Sequence, residues 1–373
     1  MKFKGTVLRV ASDVYPLVIG GVGVHVIELT KSLIAHGWRH IILTLDHFPD
    51  LKLDNYCRII TDKSFISLRG NKLSPFFFNK VVDILKKYEV DIIHAHSHVF
   101  YSSNIVALIR KVYPHYPLII TCHGIWSQSI PLIVQKLYMR TIGLFTLNSA
   151  DKVLCYTDEE KELLVSMGVN SSKIEVIPNA INTEIFTPEK SKRKNNNILW
   201  IGRLVPGKKP ELAIKIIAEL NKDIPDVTLT MIGDGPLKHK CVRLTKNLGL
   251  ENNIRMINFI PYKMMPKIYQ AADVLLITSA QEGVPRVMLE AMACEVPVIM
   301  SSKLWHIRSL IKGCGMIFDA EDISSAVIQL KRLLASDNLR LELGRKGRAK
   351  VIKEHSWEIY TKRIEKIYEK LLK

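Results

Sequence analysis

Residues 274–301 have the sequence VLLITSAQEGVPRVMLEAMACEVPVIMS, and this stretch decides the class of fold. It begins with an apolar run at 274–278 and ends with another at 296–301, and residues 287–293 between them have a helical pattern. A strand, a helix and a second strand in that order are typical of a βαβ unit, whose strands lie parallel in one sheet.

The same alternation of short apolar and longer amphipathic runs extends in both directions. It starts near residue 6, is interrupted by a polar, Asn- and Lys-rich segment at 187–197, and then restarts. We therefore predict an α/β protein with two Rossmann-like domains, residues 1–180 and 197–355, a linker at 181–196 and a last helix in 356–373. Ligands of doubly wound domains bind at the carboxyl ends of the strands, so a ligand cleft is expected there.

The composition agrees with a globular protein of two domains. The chain has 373 residues, of which 47% are hydrophobic, too many for a disordered chain. No apolar run reaches the roughly 18 residues that a membrane span needs. Residues 1–10 predict a first strand and not a signal peptide, so we expect a cytoplasmic protein that meets a membrane only at its surface.

The formal net charge of +17 favours polyanionic partners. Anionic lipid surfaces, nucleic acids and phosphorylated ligands all fit such a charge. The sequence has neither a basic stretch interleaved with aromatic residues nor zinc-finger spacing, so we expect no nucleic-acid partner.

Two motifs indicate phosphate binding. Gly20-Gly21-Val22-Gly23 follows the first strand and opens a helix, where backbone N–H groups can approach a phosphate, although a plain structural turn is the alternative. Gly202-Arg203-Leu204, with Lys208 nearby, follows the first strand of the second domain and supplies a planar guanidinium and a point charge suited to a diphosphate. Two solvated loop cations would give the same pattern. A third motif, Gly233-Asp234-Gly235, is interpreted as a structural turn.

A pair of carboxylates is the strongest chemical signal. Glu282 lies on the loop after a predicted strand, and Glu290 lies on the helix that follows. The loop can bring both carboxylates to one ligand, where they accept hydrogen bonds from vicinal hydroxyl groups. The segment Ala291-Met292-Ala293-Cys294 predicts tight burial of this helix, and a carboxylate at its edge implies a partner.

Taken together, these motifs resemble glycosyltransferase family 4, the retaining nucleotide-sugar transferases of the GT-B fold. The resemblance extends over nearly all of the chain. It implies two Rossmann-like domains facing across a cleft and a C-terminal helix that crosses back to the first domain. It rests on the motifs above and on Asp91-Ile92-Ile93-His94-Ala95-His96, Thr121-Cys122-His123-Gly124 and Pro178-Asn179.

The resemblance implies that the second domain binds the donor, a UDP-, GDP- or ADP-sugar. By this likeness Arg203 and Lys208 bind the diphosphate and stabilise it as it leaves. Glu290 binds the ribose hydroxyls, and Glu282 binds the donor sugar.

The remaining donor contacts implied by the resemblance come from backbone groups and one imidazole. The N–H groups of Arg286 and Val287 lie near the sugar or phosphate. Gly21 and Gly23 belong to a loop that closes over the phosphates, and His123 bonds the donor sugar near the reacting carbon.

Members of this family retain anomeric configuration and usually need no metal, so no metal and no cofactor are expected here. The resemblance implies a front-face attack in which the leaving phosphate accepts the acceptor's proton. Four positions depart from the family pattern: Lys209, Pro285 and Glu295 stand where glycine is usual, and Asn182 where aspartate is usual. None of them removes a predicted ligand.

Residues on the acceptor side are predicted less directly. The alternation of His94, His96 and His98 is interpreted as placing His96 alone on the face toward the acceptor, with His94 and His98 on the other face. Trp126 is expected either to frame the acceptor entrance or simply to pack. Phe76-Phe77-Phe78, preceded by Lys63, Arg69 and Lys72, indicates a core segment or a membrane-facing patch.

The predicted function is sugar transfer to a lipid-linked or glycan acceptor at the cytosolic membrane face. Two alternatives stay open at this point: a transferase that makes a soluble glycoside, and a catalytically inactive GT-B partner protein. The presence of Arg203, Lys208, Glu282 and Glu290 argues against the inactive alternative.

Overall fold

The structure is a computed structural model that describes residues 3–15, 20–45, 50–53, 55–68, 71–128, 130–189 and 196–373. The chain divides into two compact units. The first comprises Met1–Ala180 and Trp357–Lys373, and the second Ile181–Ser356. Residues 190–195 of the predicted linker and Arg69 lie outside the described residues.

The first unit alternates strands and helices as the apolar pattern predicts, and the last helix of the chain joins it. Its strands are β1 (Gly5–Ala11), β2 (Trp38–Leu45), β3 (Leu51–Lys52), β4 (Cys57–Asp62), β5 (Ile66–Leu68), β6 (Asn71–Leu73), β7 (Ile92–His96), β8 (Leu118–Thr121), β9 (Lys152–Cys155) and β10 (Ile174–Val176). Its helices are α1 (Gly21–Ala35), α2 (Phe77–Lys87), α3 (Tyr101–Val112), α4 (Leu132–Tyr138), α5 (Leu144–Ser149), α6 (Asp158–Ser166) and α14 (Trp357–Leu371), with a π-helical turn at Met139–Gly143.

Eight of these strands form one sheet in the order β10-β9-β8-β7-β1-β2-β4-β3. Every pair is parallel except β3 with β4, and β5 and β6 form a separate antiparallel hairpin. The chain order reverses between β1 and β7, so the loops after these strands leave on opposite faces and open a crevice at their carboxyl ends.

The second unit repeats the pattern. Its strands are β11 (Asn197–Ile201), β12 (Thr228–Ile232), β13 (Ile254–Ile257), β14 (Val274–Ile277), β15 (Val298–Ser301) and β16 (Gly315–Phe318). Its helices are α7 (Pro210–Asn221), α8 (Lys238–Asn247), α9 (Met265–Gln270), α10 (Arg286–Ala293), α11 (Arg308–Ile311), α12 (Ile323–Leu334) and α13 (Asp337–Glu354). Single 3₁₀ turns occur at Pro206–Lys208, Tyr262–Met264 and Ser302–Ile307.

The six strands of the second unit are all parallel, in the order β13-β12-β11-β14-β15-β16. This is the strand order of the dinucleotide-binding fold, and its reversal falls between β11 and β14. The apolar run at 274–278 lies in the middle of the sheet, and β14 is buried throughout. Burial on both faces explains why its sequence is continuously apolar and not alternating.

The last helix, α14, packs on α1 and β1 of the first unit, as predicted. The Ser32 and Thr361 hydroxyls lie 2.7 Å apart, and the Trp38 indole donates to Glu365 at 3.2 Å. Tyr368 is fully buried against the Trp38 ring, with 5.1 Å between ring centroids. The buried stripe of this helix runs through Tyr360, Ile364 and Tyr368.

Two departures from the family pattern adopt left-handed backbone geometry. Glu295 has φ of 56°, and Lys209 has φ of 50°. Glu295 follows the last turn of α10, and the next amide, that of Val296, donates to the Ala291 carbonyl at 2.9 Å, which is the Schellman end of a helix. The turn is thus kept although a side chain replaces the usual glycine, and the left-handed strain is borne by that residue.

We predict that Glu295→Gly and Lys209→Gly each increase the free energy of unfolding by about 1 kcal/mol, because glycine relieves the left-handed strain. The matched control is Lys215→Gly in the middle of α7, where the same change removes about 1 kcal/mol. Scanning calorimetry of the three variants measures the effect. A lower melting temperature for both left-handed variants would contradict the backbone geometry described here.

Candidate functional site

The predicted donor residues of the second unit lie at the strand reversal between β11 and β14. Arg203 and Lys208 follow β11, and Glu282 follows β14, so all three come from the carboxyl ends of adjacent strands. This is the position at which open parallel sheets bind ligands. The sequence had indicated these residues separately, and the strand order brings their loops together.

The loop that carries Arg203 is held by the Gly233-Asp234-Gly235 turn. The Leu204 amide donates to the Asp234 carbonyl at 2.8 Å. Gly233 has φ of 144°, and a Cβ atom there would lie 2.0 Å from the Gly202 carbonyl oxygen. Only glycine permits this approach of two backbones, so the turn serves to position the Arg203 loop.

Lys208 and Glu282 form a buried ion pair at this edge. Their side chains are 9% and 10% exposed. The two loops are also joined through the backbone, because the Thr278 hydroxyl donates to the Lys208 carbonyl at 2.9 Å and the Ala280 amide donates to the Gly207 carbonyl at 2.8 Å. Both charges are therefore held in place by a network that does not depend on their own pairing.

One oxygen of Glu282 has no partner within the part of the chain that the structure describes. Oε1 faces Lys208, whereas Oε2 is buried and accepts no hydrogen bond from a described residue. A buried carboxylate oxygen without a donor is costly, and such an atom indicates a missing ligand or water. His306, which the sequence analysis did not single out, lies beside the pair with Nε2 2.6 Å from the Glu282 carbonyl oxygen.

Glu290 belongs to a second buried cluster on α10. Its Oε2 accepts a hydrogen bond from the Tyr269 hydroxyl at 2.6 Å, and its Oε1 lies 3.8 Å from Arg286 Nε. Burial raises the pKa of this carboxyl, and Arg286 and the hydroxyls of Tyr269 and Tyr262 oppose that rise. Phe186 packs against both tyrosine rings.

Only the backbone N–H groups of Arg286 and Val287 were predicted to contact the donor. The structure adds the Arg286 guanidinium, which donates to the Tyr262 hydroxyl at 3.1 Å. The amides of residues 286 and 287 stand in the first turn of α10, where N–H groups have no partner within the helix and attract negative charge. Pro285 precedes them at φ −64°, an angle that suits proline before a helix.

In the first unit, the glycines of the motif at residues 20–23 have two different structural roles. Helix α1 begins at Gly21, and Gly20 and Gly21 are exposed. Gly23 is buried, and a Cβ atom there would lie 2.9 Å from the Tyr15 backbone nitrogen. Gly23 thus permits close packing of α1 on the segment after β1, whereas Gly21 leaves the helix N-terminus open.

The placement of the three alternating histidines was predicted wrongly. His94 and His96 lie on the same face of β7, with their rings stacked 4.6 Å apart, because side chains two residues apart in a strand point the same way. His98 lies beyond the end of the strand. All three rings are fully buried, and the acceptor-side role of His96 stays a prediction.

A buried arginine fixes the protonation of this cluster. Arg9 is fully buried on β1, and it lies 3.3 Å from His94 Nδ1 and 3.3 Å from His96 Nε2. Because a guanidinium can only donate, His96 Nε2 must accept, and its proton stands on Nδ1. Burial and the Arg9 charge lower the pKa of both histidines well below the ordinary value.

His123 is the next member of this hydrogen-bonded chain. His96 Nδ1 donates to His123 Nε2 over 3.0 Å, and His123 Nδ1 then donates to the Tyr156 hydroxyl over 2.8 Å. Both ring nitrogens of His123 are therefore occupied. A sugar hydroxyl could bond this ring only in exchange for one of these two partners.

His25, His96 and His123 each offer a ligand atom within 4.8 Å of the others. Three imidazoles are a common donor set for zinc. Here the spacing follows from the hydrogen bond between two of the rings, and the Arg9 guanidinium beside His96 repels a cation. We assign no metal to this cluster.

Trp126 is half-buried and packs on the apolar core of the first unit. Of the three consecutive phenylalanines, Phe77 is fully buried in that core, Phe78 packs partly against it, and Phe76 is exposed. Phe77 and Phe78 agree with the core interpretation, and the membrane-facing interpretation stays a prediction for Phe76. No helix in the described ranges is long and apolar enough to cross a membrane.

The comparisons with known proteins identify the family. Residues 19–185 match the family described as Glycosyltransferase Family 4, and residues 182–350 match the one described as Glycosyl transferases group 1. The two matches together extend over residues 19–350, and the chain belongs to this family of glycosyltransferases. The resemblance inferred from the motifs is confirmed.

Individual relatives are more distant. The chain is 28% identical, over 76% of each sequence, to the UDP-Gal:alpha-D-GlcNAc-diphosphoundecaprenol alpha-1,3-galactosyltransferase of Escherichia coli. It is 24% identical to the GPI3 subunit of phosphatidylinositol N-acetylglucosaminyltransferase from Saccharomyces cerevisiae, over 83% of this chain and 71% of that one. Sucrose-phosphate synthase from Thermosynechococcus elongatus has a similar structure, with a TM-score of 0.82, 20% identity and 99% of both chains covered. The predicted GT-B fold is thus confirmed.

The buried histidines predict a loss of stability in acid. His40, His94 and His96 have strongly lowered pKa values, and burial lowers that of His98 to about 4. Below pH 6.5 the unfolded chain binds protons that the folded chain does not. The free energy of unfolding therefore decreases as the pH is lowered. Two carboxyls with raised pKa values, Glu290 and Glu160 (about 7), oppose this trend but are outnumbered.

We predict that His40→Leu flattens the fall in unfolding free energy below pH 6.5 by up to about 1.4 kcal/mol per pH unit, the effect of one proton. Chemical denaturation at several pH values between 5 and about 7 measures the slope, with the wild-type chain as reference. An unchanged slope would show that His40 is not held neutral in the folded protein.

Proposed function

We propose that this glycosyltransferase transfers a sugar, with retention of anomeric configuration, from a nucleoside-diphosphate donor to a lipid-linked acceptor at the cytosolic face of a membrane. The single observation that carries the proposal is the Lys208–Glu282 pair at the strand reversal of the second unit. Lys208 offers a buried cation for a phosphate, and beside it Glu282 offers a buried carboxylate oxygen that can accept a hydrogen bond from a sugar hydroxyl. A sugar diphosphate requires both.

The donor is proposed to replace the ion pair with its own contacts. Lys208 Nζ and the Arg203 guanidinium would bind the diphosphate, and Glu282 would then accept bonds from sugar hydroxyls through both oxygens. Each buried charge keeps a partner in the empty and in the loaded enzyme, which avoids the cost of an unpaired buried charge. Glu290 is proposed to bind the ribose, with the Tyr269 hydroxyl holding its carboxylate in position.

The remaining donor contacts are proposed from the family likeness and the helix ends. The amides of Arg286 and Val287 stand in the first turn of α10, where the helix dipole favours a negatively charged group. Gly21 opens α1 in the same way, and Gly23 allows that helix to pack closely. His123 is proposed to bond the donor sugar after giving up the Tyr156 hydroxyl or His96.

The proposed reaction is a front-face displacement. The bond between the anomeric carbon and the phosphate oxygen breaks while the acceptor oxygen attacks from the same side. The acceptor's proton passes to the leaving phosphate oxygen, so no separate base is needed. Lys208 and Arg203 offset the negative charge that develops on the diphosphate, which is electrostatic stabilisation of the transition state and needs no metal.

The lipid-linked acceptor is proposed from the relatives and from the charge. The bacterial relative is named for a diphosphoundecaprenol acceptor and the yeast relative for phosphatidylinositol. A net charge of +17 favours an anionic membrane surface. On this proposal the enzyme is a peripheral protein of the inner membrane face.

We predict opposite effects of the two members of the ion pair on nucleoside-diphosphate binding. Lys208→Met should weaken binding by tenfold or more, about 1.4–3 kcal/mol, because it removes a charged donor to the phosphates. Glu282→Gln should leave the affinity equal or higher, because Lys208 is released, yet abolish transfer. Calorimetric titration of UDP, GDP and ADP measures both, and Lys215→Met on the exposed face of α7 controls for loss of charge. Weaker binding in Glu282→Gln than in Lys208→Met would contradict the assignment.

We predict that one of the UDP-, GDP- or ADP-sugars releases its nucleoside diphosphate when the enzyme is present, and that a membrane lipid extract increases the rate. Release should disappear in Glu282→Gln. The anomeric configuration of the glycolipid product, read by NMR, should equal that of the donor. An inverted product would refute the front-face reaction, and release that is indifferent to lipid would favour a soluble acceptor.

A further inference from the structure

The helix that follows the His123 segment exposes apolar side chains to an unusual degree. Ile133 is 78% exposed and Leu137 is 67% exposed on α4, and Val134, Ile142 and Phe145 are also exposed. The opposite face, formed by Gln135, Met139, Gly143 and Leu147, is buried. Scattered exposed leucines are ordinary, but one helical face made of several such residues indicates a binding surface.

This face is fixed in orientation by hydrogen bonds on the buried side. The Gln135 side chain bonds the backbone of Ser127 and Ile130, and the Tyr138 hydroxyl donates to the His98 carbonyl at 2.7 Å. A Cβ atom on Gly143 would lie 2.7 Å from Met139 Sδ, which shows how closely the π-helical turn is packed. The helix therefore cannot turn its apolar face inward by rolling.

A second set of exposed apolar side chains lies near loop 97–101, which follows β7. Phe65 is 57% exposed and Phe76 is 58% exposed, with 5.7 Å between their ring centroids. The hairpin between them is joined to that loop by Asn71, whose side chain donates to the Val99 carbonyl and accepts from the Tyr101 amide. Since Tyr138 bonds the neighbouring His98 carbonyl, both apolar groups flank loop 97–101 at the carboxyl end of β7.

The two sequence segments that carry these groups contain only positive charges, although Asp13 from the segment after β1 lies 3.2 Å from Lys72. Residues 125–149 and 63–82 contain Lys and Arg but no Asp or Glu. Lys136 and Arg140 are exposed on the helix itself, and Lys63 is exposed before the hairpin. Exposed apolar side chains beside exposed lysine and arginine are the composition that binds the interface of an anionic bilayer.

We propose that α4, the π-helical turn and α5, together with Phe65 and Phe76, form a docking surface that inserts into the interface of an anionic membrane. The inference rests on the proposed lipid-linked acceptor and names the part of the chain that would meet the lipid. The surface adjoins the acceptor side of the first unit, because its helix follows the His123 segment and its loop follows β7. Docking through it brings a lipid headgroup to His123 without a membrane-spanning segment.

The test is flotation of the full chain with vesicles of phosphatidylcholine alone and of phosphatidylcholine mixed with phosphatidylglycerol. We expect binding to the mixed vesicles, and a loss of about tenfold or more in the Ile133→Ser/Leu137→Ser double variant. Val112→Ser/Ile328→Ser, which changes two other exposed apolar residues, is the matched control and should bind as wild type does. Lys136→Gln/Arg140→Gln should reduce only the preference for phosphatidylglycerol.

Slow donor hydrolysis in the absence of lipid separates this inference from the proposed function. If the double variant hydrolyses donor as wild type does but no longer floats with vesicles, the docking surface stands. Vesicle binding that is lost in the variant also supports the surface even if no donor is ever hydrolysed, which would count against the proposed function alone. Equal flotation of variant and wild type overturns the docking surface. Self-association replaces the docking surface if light scattering shows that the wild-type chain is a dimer and the double variant a monomer, and if the wild-type chain does not bind vesicles.

Discussion

A buried lysine–glutamate pair at the reversal of strand order is the interaction on which the account of this enzyme depends. Lys208 and Glu282 come from loops after two adjacent strands, β11 and β14, and each is nearly inaccessible. A buried ion pair adds little stability compared with apolar residues of the same size, because both ions lose their hydration. Its position at the edge where parallel sheets bind ligands fits a pair of charges that binds a substrate.

The first unit also contains a buried charge, that of Arg9, but this charge is not paired with a carboxylate of a described residue. Arg9 stands fully buried with imidazole and phenol groups as its partners, and no carboxylate within the described ranges lies within ion-pair distance of it. Burial, assisted by this permanent cation, lowers the pKa of His94 and His96, and the cation determines which nitrogen of His96 carries the proton. Through His96 the same constraint reaches His123, so the tautomer of a proposed catalytic ring is set by a residue one strand away.

Much of the architecture could be predicted because buried parallel strands are continuously apolar and the loops between them carry family motifs. The apolar run at 274–278 contains strand β14 (Val274–Ile277), which is buried throughout. The hairpin at β5 and β6 and the helices α4 and α5 were not predicted. Apolar residues lie on both the buried and the exposed faces of α4 and α5, so hydrophobic periodicity does not distinguish an inner from an outer face there.

The site was predictable in its residue types and less so in its partners. Glu282 and Lys208 were identified from their motifs, but their pairing depends on the order of strands in the sheet, which no local pattern encodes. The hydrogen bond between Glu290 and Tyr269 joins residues of two different helices. His94 and His96 were predicted on opposite faces of the strand but lie on the same face. Long-range pairing of this kind requires the tertiary structure.

The most direct test of the central claim is a crystal structure of the enzyme with a nucleoside diphosphate bound. We expect phosphate oxygens within hydrogen-bond distance of Lys208 Nζ and the Arg203 guanidinium, and a longer separation between Nζ and Glu282 than in the empty enzyme. A diphosphate bound elsewhere, with the Lys208–Glu282 pair intact, would contradict the assignment of this edge of the sheet as the donor site.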